Sequence, residues 1–131
     1  MNGMITVSVL PGLAKMWGKG SITVADVVGG WRSIRDDSCY TRGIDCIADF
    51  RGAQLRFRYR DALKLAQLAL SERLLFGRYA VVAPDNVNHA IARLVVAVLS
   101  THDVFGSARV CRTFTEAYLW LGQGDLFALG D

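Results

Sequence analysis

The amino-acid sequence predicts an α/β domain built on a mixed, mainly parallel sheet of about five strands, with helices packed against it. Two observations lead to this fold class. Segments rich in β-branched residues alternate with segments whose apolar residues recur at helical spacing, in the order β-β-α-β-α-β-α-β-α. The first two strand segments meet at Pro11-Gly12, a turn dipeptide, and therefore predict a hairpin at one edge of the sheet.

The first part of the chain predicts this hairpin and one helix. Residues 4–10 and 13–17 form its two arms. Thr23 and Asp26 resemble a capping box, with Asp in place of the usual Glu, and mark the start of a helix. The predicted buried face of that helix consists of Val24, Val27, Val28, Trp31 and Ile34.

The middle of the chain predicts a strand followed by a helix. The segment IDCIADF, residues 44–50, has the composition of a strand, and Arg51-Gly52 ends it. We expect the helix to run from about Arg60 to Leu74, with Gly77 as its C-terminal glycine. Its predicted buried stripe is Leu63, Ala66, Leu70 and Leu74.

Two further strand–helix pairs complete the chain. YAVVA, residues 79–83, is apolar throughout, as expected for a strand covered on both faces, and Asp85 caps the helix that follows. SARVCR, residues 107–112, is the last strand, and Thr113 with Glu116 forms a capping box for a short helix that Gly122 ends. The predicted inward face of the helix after Asp85 is Val87, Ala90, Ile91, Leu94, Val95 and Val98.

Length and composition fit one domain spanning residues 1–131. Of the 131 residues, 52% are hydrophobic and 21% are charged, and the formal net charge is +3. This charge is below the clustered basicity of nucleic-acid-binding proteins, so nucleic acid is not the expected partner. No segment reaches the roughly 18 consecutive apolar residues of a membrane span, and the start of the chain lacks the basic region of a secretory signal.

The three cysteines argue for a reducing environment. Cys39, Cys46 and Cys111 have no metal-ligand spacing, and their odd number argues against a disulfide framework. We expect Cys46 and Cys111 to be buried, reduced thiols inside strands, because both fall in strand segments. A cytoplasmic location is the corresponding expectation.

A candidate ligand-binding rim follows from the predicted sheet, because ligands of open α/β sheets lie beyond the carboxyl ends of the strands. His89 is expected one turn into its helix, where it could be an acid, a base or an anion contact, or simply a solvated surface histidine. Asp85 could do no more than cap the helix, and Asp49 could do no more than hold the following loop. The residues selected for the rim are Asp49, Arg51, Pro84, Asp85, Asn86, His89, Arg112 and Thr113.

No motif assigns a catalytic residue, a metal or a cofactor. The sequence contains neither G-x-G-x-x-G nor a Walker pattern, and it contains no G-x-S-x-G elbow. His102 stands far from any Cys or Asp cluster, so no metal site is predicted. We therefore expect no cofactor.

The segment LRFRYR, residues 55–60, alternates arginines with apolar residues. Arg56, Arg58 and Arg60 would lie on one side of an extended segment, an arrangement that can bind single-stranded nucleic acid. The favoured interpretation is a loop whose aromatic side chains fill the core while the arginines remain in water.

Four segments of the sequence are similar to those of a known protein family. These segments are SITVADV, ADFRG, APDNVNHAIARL and VCRTFTEAYLWLG. They resemble the small bacterial STAS-like proteins, whose fold is that of the anti-sigma-factor antagonists and which are also likened to CRAL-TRIO lipid-transfer domains. The most telling residues are Ala83-Pro84-Asp85, Ala92-Arg93, Glu116-Ala117 and Trp120-Leu121.

The resemblance covers nearly the whole chain and implies a curved mixed sheet with helices packed against it. It implies no settled activity. The antagonists of this fold carry a phosphorylatable serine after the strand that corresponds to IDCIADF. No Ser or Thr occurs here between Asp49 and Ser71, so the phosphorylation switch is not carried over.

Three functions remain open from the sequence. The favoured one is a non-catalytic STAS-like module that binds a partner protein or a small ligand. The second is a carrier of a small apolar or lipid-like ligand, which needs an apolar cavity of roughly 300 Å³ or more. The third is an enzyme using Asp49, Asp85 and His89, which needs a cleft where these groups converge.

A homodimer is also expected from apolar residues that a single small core does not need. Three of these residues lie in the tail, namely Leu126, Phe127 and Leu129, and three lie on the edge hairpin, namely Met4, Val7 and Val9. A strand at a sheet edge offers unpaired backbone groups that a second copy can pair with or cover.

Overall fold

The computed structural model describes residues 2–122, which form one five-stranded sheet and four helices. The strands are β1 (Met4–Leu10), β2 (Leu13–Ile22), β3 (Asp45–Leu55), β4 (Phe76–Val82) and β5 (Phe105–Cys111). The helices are α1 (Val24–Arg35), α2 (Tyr59–Ser71), α3 (Asn86–Thr101) and α4 (Phe114–Trp120). Leu126, Phe127 and Leu129 lie outside the described residues.

The strand order in the sheet is β1-β2-β3-β4-β5. β1 and β2 are antiparallel, joined at Pro11-Gly12, where Gly12 takes a φ of +83° that suits the second central residue of a tight turn. The pairs β2–β3, β3–β4 and β4–β5 are all parallel. The predicted fold class, with a mainly parallel sheet and the hairpin at its edge, is confirmed.

The helices divide unequally between the two faces of the sheet. α1, α2 and α3 cover one face and form the larger core with residues such as Met16, Ile34 and Leu65. α4 covers the other face with Ala117 and Leu121, which pack on apolar residues of β2, β3, β4 and β5. α4 is short, and among residues 2–122 its main contacts are with β4 and β5, at a distance from the edge strand β1.

An aromatic cluster occupies the centre of the larger core. Trp31 of α1 donates a hydrogen bond from Nε1 to the hydroxyl of Tyr79 in β4, at 3.0 Å, and both side chains are buried. Tyr79 stacks on Phe105 of β5 with ring centroids 4.2 Å apart, and its ring meets the edge of Phe76 at 5.2 Å. The Tyr79 hydroxyl in turn lies 3.2 Å from the Met16 sulfur. This cluster ties α1 to three strands.

The predicted capping box at Thr23 is complete, and the predicted box at Thr113 is formed only in part. The Thr23 side chain accepts from the Asp26 backbone N–H, and the Asp26 carboxylate accepts from the Thr23 N–H at 2.9 Å. The Thr113 side chain caps α4 by accepting from the Glu116 N–H at 3.1 Å, but the Glu116 carboxylate does not accept from the Thr113 N–H in return. These contacts span three residues, so the local sequence is sufficient to specify them.

Two strands are longer than predicted. β2 continues past residue 17 to Ile22, with a register shift between Trp17 and Lys19 and a positive φ at Gly20. β3 continues past Arg51-Gly52 to Leu55. Both strands were expected to end at glycines. The two glycine-containing segments instead pair with each other, and this pairing extends both strands.

The predicted buried faces of α2 and α3 are partly wrong. α2 buries Ala62, Leu65, Ala66 and Ala69, whereas Leu70 is exposed. α3 buries Ala92, Val98 and Leu99, whereas the predicted inward residues Val87, Ala90 and Leu94 are exposed. α3 is apolar on most of its circumference, so two stripes fit the helical period and only the position of the sheet chooses between them.

The end of α2 also differs from the prediction. The helix ends at Ser71, and Arg73 takes the left-handed φ of 57° that the sequence had suggested for a glycine. Gly77 instead lies in β4, where an added Cβ would come within 2.4 Å of the Gly43 carbonyl oxygen. Its role is to permit close approach of that loop to β4.

The expected state of two cysteines is supported by their burial. Cys46 in β3 and Cys111 in β5 have no exposed surface. Burial raises the pKa of Cys111 to about 11 and that of Cys46 well above its ordinary value. Both side chains are therefore protonated thiols at neutral pH, and this makes them poor nucleophiles.

We expect Tyr79→Phe to destabilise the protein by about 1–3 kcal/mol, because the buried Trp31 N–H then loses its acceptor without gaining access to water. Urea unfolding followed by Trp fluorescence measures the change. Tyr59→Phe is the matched control, since Tyr59 is 59% exposed and its loss should leave stability unchanged. Equal stability of the Tyr79 variant and the wild type would contradict the proposed role of this hydrogen bond.

Candidate functional site

The carboxyl end of β3 extends beyond the neighbouring strand. β3 pairs with β4 only from Cys46 to Asp49, while its later residues pair with β2 as far as Leu55. The side of β3 that faces away from β2 is therefore open to other partners after Asp49. This overhang forms one wall of a groove at the predicted rim.

Asn88, in the first turn of α3, occupies the open side of this overhang. Its Oδ1 accepts from the Leu55 backbone N–H at 3.1 Å, and its Nδ2 donates to the Ala53 carbonyl oxygen at 2.8 Å. The side-chain amide thus supplies the donor and acceptor that a further strand would have supplied. The sequence does not indicate this role of Asn88, because both of its partners are more than thirty residues away.

The groove lies between this overhang, the loop before α2 and the start of α3, and has a volume of about 810 Å³. Leu55 and Phe57 are buried at its floor, while Val87 is 67% exposed. The groove is open, as a surface that receives part of a macromolecule would be. Its lining residues are Arg51, Ala53, Gln54, Leu55, Arg56, Phe57, Arg58, Asp85, Val87, Asn88 and Ile91.

The electrostatic character of the groove is basic. Arg51, Arg56 and Arg58 line it, against one carboxylate from Asp85. Arg56 donates to the Gln54 Oε1 at 3.3 Å, and within residues 2–122 no carboxylate pairs with the side chain of Arg56 or Arg58. The N-terminus of α3 adds a partial positive charge, because the dipoles of its peptide groups point that way.

The LRFRYR segment divides between core and groove. Leu55 and Phe57 are buried, in agreement with the favoured interpretation. Tyr59 differs from it, because this residue begins α2 and is 59% exposed. Arg56 and Arg58 face the groove, and Arg60 is not among the residues that line it. The sequence indicated these arginines but did not connect them with the strand-end rim.

Asp49 and Arg51 form a local ion pair. The Asp49 carboxylate accepts from the Arg51 guanidinium at 2.7 Å and from the Arg51 backbone N–H at 3.1 Å. The hydrogen bond to Asp49 raises the pKa of Arg51, and the guanidinium lies over the Phe114 ring at 4.9 Å. Asp49 is thus engaged in holding Arg51 between the groove and α4.

Asp85, Asn86 and Thr113 have structural hydrogen bonds. Asp85 is the N-cap of α3 and accepts from the Asn88 N–H at 3.0 Å. The Asn86 Oδ1 accepts from Arg112 at 3.0 Å, which links the start of α3 to the end of β5. Of the residues predicted for the rim, only Arg51 and Asp85 are brought together in the groove.

His89 lies on a different surface from Asp85. Its Nδ1 is 3.1 Å from the Ala83 carbonyl oxygen, which can only accept, so Nδ1 carries the proton and donates. His89 lines a second groove, between α3 and β5, with Arg93 and Arg109. Asp85 lines the first groove, His89 lines the second and Asp49 lines neither, so these two grooves of residues 2–122 do not bring the three groups of the enzyme hypothesis together.

Metal and lipid sites find little support in the part of the chain that is described. Residues 2–122 contain no cluster of three or more His, Cys, Asp or Glu side chains that could hold a metal ion. The apolar cavity beneath α3, beside Trp31 and Tyr79, has a volume of about 30 Å³. A carried ligand needs roughly 300 Å³ or more, so this cavity cannot hold one without a large movement of α3. No helix in this range is long and apolar enough to cross a membrane.

The chain is an α/β domain with a basic groove at the carboxyl end of β3. The chain is similar in structure to an uncharacterized protein of the DUF3478 family from Shewanella loihica PV-4, described as having a SpoIIAA-like fold. The TM-score is 0.62 over 92% of this chain and 96% of that one, with 15% sequence identity. No protein-family model and no curated protein matches the sequence.

This similarity establishes the fold and nothing further, because the sequence identity is low. The chain has a SpoIIAA-like, STAS-like fold, as the sequence resemblance predicted. The likeness to CRAL-TRIO domains and the cytoplasmic location stay predictions.

The cap of α3 can be tested by Asp85→Ala, which should cost about 1 kcal/mol because the Asn88 N–H loses its acceptor. Asp85→Asn keeps an acceptor at the same position and should retain most of the stability. Thermal unfolding distinguishes the two variants. An unchanged midpoint for Asp85→Ala would show that the cap is dispensable.

The Asn88 clamp can be tested by Asn88→Ala, which leaves one backbone donor and one acceptor of β3 without partners and should cost about 2 kcal/mol. Hydrogen exchange at the Leu55 amide should accelerate, while exchange in the paired segment from Cys46 to Asp49 should change little. Asn86→Ala is the control on the same helix turn. Unchanged protection of Leu55 would exclude the clamp.

Proposed function

We propose that this chain is a non-catalytic STAS-like binding module whose groove receives an acidic segment of a partner protein. The observation that carries the proposal is the pair Arg56 and Arg58, which face the groove with no carboxylate partner in residues 2–122. Guanidinium groups bind carboxylates well because their planar donors match the two oxygens.

The shape of the groove favours a peptide segment over a small ligand. An open groove of about 810 Å³ gives a small molecule few enclosing walls, whereas it can accept several consecutive residues of a chain. Val87 projects from the first turn of α3, beside the arginines, and offers an apolar contact to a side chain of the partner. A segment that alternates acidic and apolar residues fits both features.

The assignment of the side chains supports a binding role over a catalytic one. Asp85 caps α3, Asp49 binds Arg51, and the His89 Nδ1 donates to a carbonyl. Each of these three candidate acid–base residues therefore has a structural partner already. The arginines of the groove offer charge and hydrogen-bond donors, which suit recognition.

Fluorescence anisotropy tests the proposal with a short labelled peptide in which Glu alternates with Leu. Binding should be saturable and weaken as salt rises, because the contact is largely electrostatic. Arg56→Glu with Arg58→Glu should weaken it by about tenfold or more. A peptide with Gln in place of Glu should bind much less tightly.

The charge-matched control is Arg42→Glu with Lys64→Glu. Both residues are exposed, neither lines the groove, and the variant changes the net charge by the same amount. Its affinity for the peptide should stay near that of the wild type. Equal loss in both double variants would indicate a non-specific charge effect, and no binding to wild type would reject an acidic segment as the partner.

A further inference from the structure

The β1 strand is a sheet edge without the usual protection. It is the first strand of the sheet and pairs only with β2 among the described residues. Its sequence, MITVSVL, contains no charged residue and no proline. Edge strands of natural proteins commonly carry charges, prolines or bulges that prevent pairing with another chain.

The opposite edge of the sheet differs in this respect. β5 carries Arg109, which is exposed and lies 3.9 Å from Glu116. Arg93 of α3 lines the groove beside this strand together with Arg109. The two edges of one sheet thus differ in charge, and only β1 is suited to pair with another strand.

The side chains of β1 alternate between covered and open positions. Ile5, Val7 and Val9 are half-buried and pack against the larger core, which corrects the expectation that Val7 and Val9 form an exposed patch. Gly30 permits this cover, since an added Cβ there would lie 2.9 Å from the Ile5 side chain. On the outer face, Met4 is 67% and Leu10 is 49% exposed.

The backbone of β1 fixes which residues face the open edge. Leu10 and Leu13 flank the two-residue turn and are therefore a hydrogen-bonded pair. Hydrogen-bonded and non-hydrogen-bonded pairs alternate along an antiparallel ladder, so Ile5, Val7 and Val9 direct their N–H and C=O groups away from β2.

We propose that two copies of this chain associate through antiparallel pairing of their β1 strands, about a two-fold axis at Val7. A two-fold axis perpendicular to the sheet makes paired edge strands antiparallel, and the same surface then serves both copies. Centred at Val7, the pairing places Ile5 opposite Val9 of the second copy, so outward-facing backbone groups meet outward-facing groups. This gives on the order of six hydrogen bonds between the strands.

The side chains on the outer face fit the same register. Met4 lies opposite Leu10 of the second copy, and Thr6 lies opposite Ser8 of the second copy. No pair across the axis brings together two charges, and the exposed apolar pair lies at each end of the paired strands. The result is a continuous sheet across both copies, with α1 of each copy on the same side.

The proposed register can be tested by charged substitutions at positions 6 and 8, whose neighbours within one copy differ from those across the dimer. Ser8 faces Lys15 of β2 in its own chain, so a carboxylate introduced at position 8 is favourable there. Thr6→Glu with Ser8→Glu places two carboxylates opposite each other at both sites across the axis, and like charges at such positions oppose pairing. Thr6→Lys with Ser8→Glu places opposite charges at both sites instead.

Light scattering and sedimentation measure the outcome from low to high micromolar concentration. The wild type should form a dimer, the Glu/Glu variant should raise the dimer dissociation constant by at least about tenfold, and the Lys/Glu variant should lower it or leave it unchanged. Ser107→Glu, on the exposed β5 edge, is the control and should leave the dimer intact. Hydrogen exchange should show protection of the Val7 amide that is lost in the Glu/Glu variant.

Several outcomes would overturn the proposal. A wild-type monomer at high micromolar concentration excludes the dimer, and a dimer that persists equally in the Glu/Glu and Lys/Glu variants places the contact elsewhere. If the Glu/Glu variant fails to fold, the Lys/Glu variant decides alone, since a weakened dimer in that variant contradicts the register. The dimer test is independent of the peptide-binding test, because β1 and β3 lie on opposite sides of β2. Failure of peptide binding in the groove would therefore leave the dimer proposal unchanged.

Discussion

The hydrogen bond from Trp31 to Tyr79, inside the aromatic cluster, is the contact on which the arrangement of the larger core depends. This hydrogen bond fixes the position of α1 over the sheet. The stacking of Tyr79 on Phe105 connects the same cluster to β5. Aromatic pairs of this kind contribute roughly 0.5–1.5 kcal/mol each beyond the burial of their area. A buried donor that requires one acceptor also excludes alternative packings that apolar contacts alone would tolerate.

The sequence predicted those parts of the fold that local chemistry determines. The capping contacts at Thr23, Asp85 and Thr113 each join residues three apart, so the printed order of residues is enough to find them. The ends of β2 and β3 were not predicted, because Lys19 and Gly52 are paired partners more than thirty positions apart. The prediction of the inward face of α3 was wrong for a related reason. When most of a helix surface is apolar, only the position of the sheet determines which side is buried.

The residues of the candidate site also fall into a group that the sequence predicted and a group that it did not. Arg51 and Asp85 were found by a general rule about strand ends, and the structure places both at the groove. Asn88 was missed, since an asparagine in a first helical turn has no feature in the sequence that shows which backbone groups it will bind. Arg56 and Arg58 drew attention by composition, yet their position depends on the length of β3, which the sequence understated.

The overhang of β3 has a consequence for how the groove behaves in time. Within residues 2–122, β3 beyond Asp49 has a strand partner on one side only, and on the other side the Asn88 side-chain amide holds it. Such a segment can open as a sub-global unit with a free energy below that of global unfolding, while the central strands remain closed. An occupant of the groove that contacts the closed form would add its binding free energy to that local equilibrium. The order of β3 beyond Asp49 would therefore increase when an occupant binds in the groove.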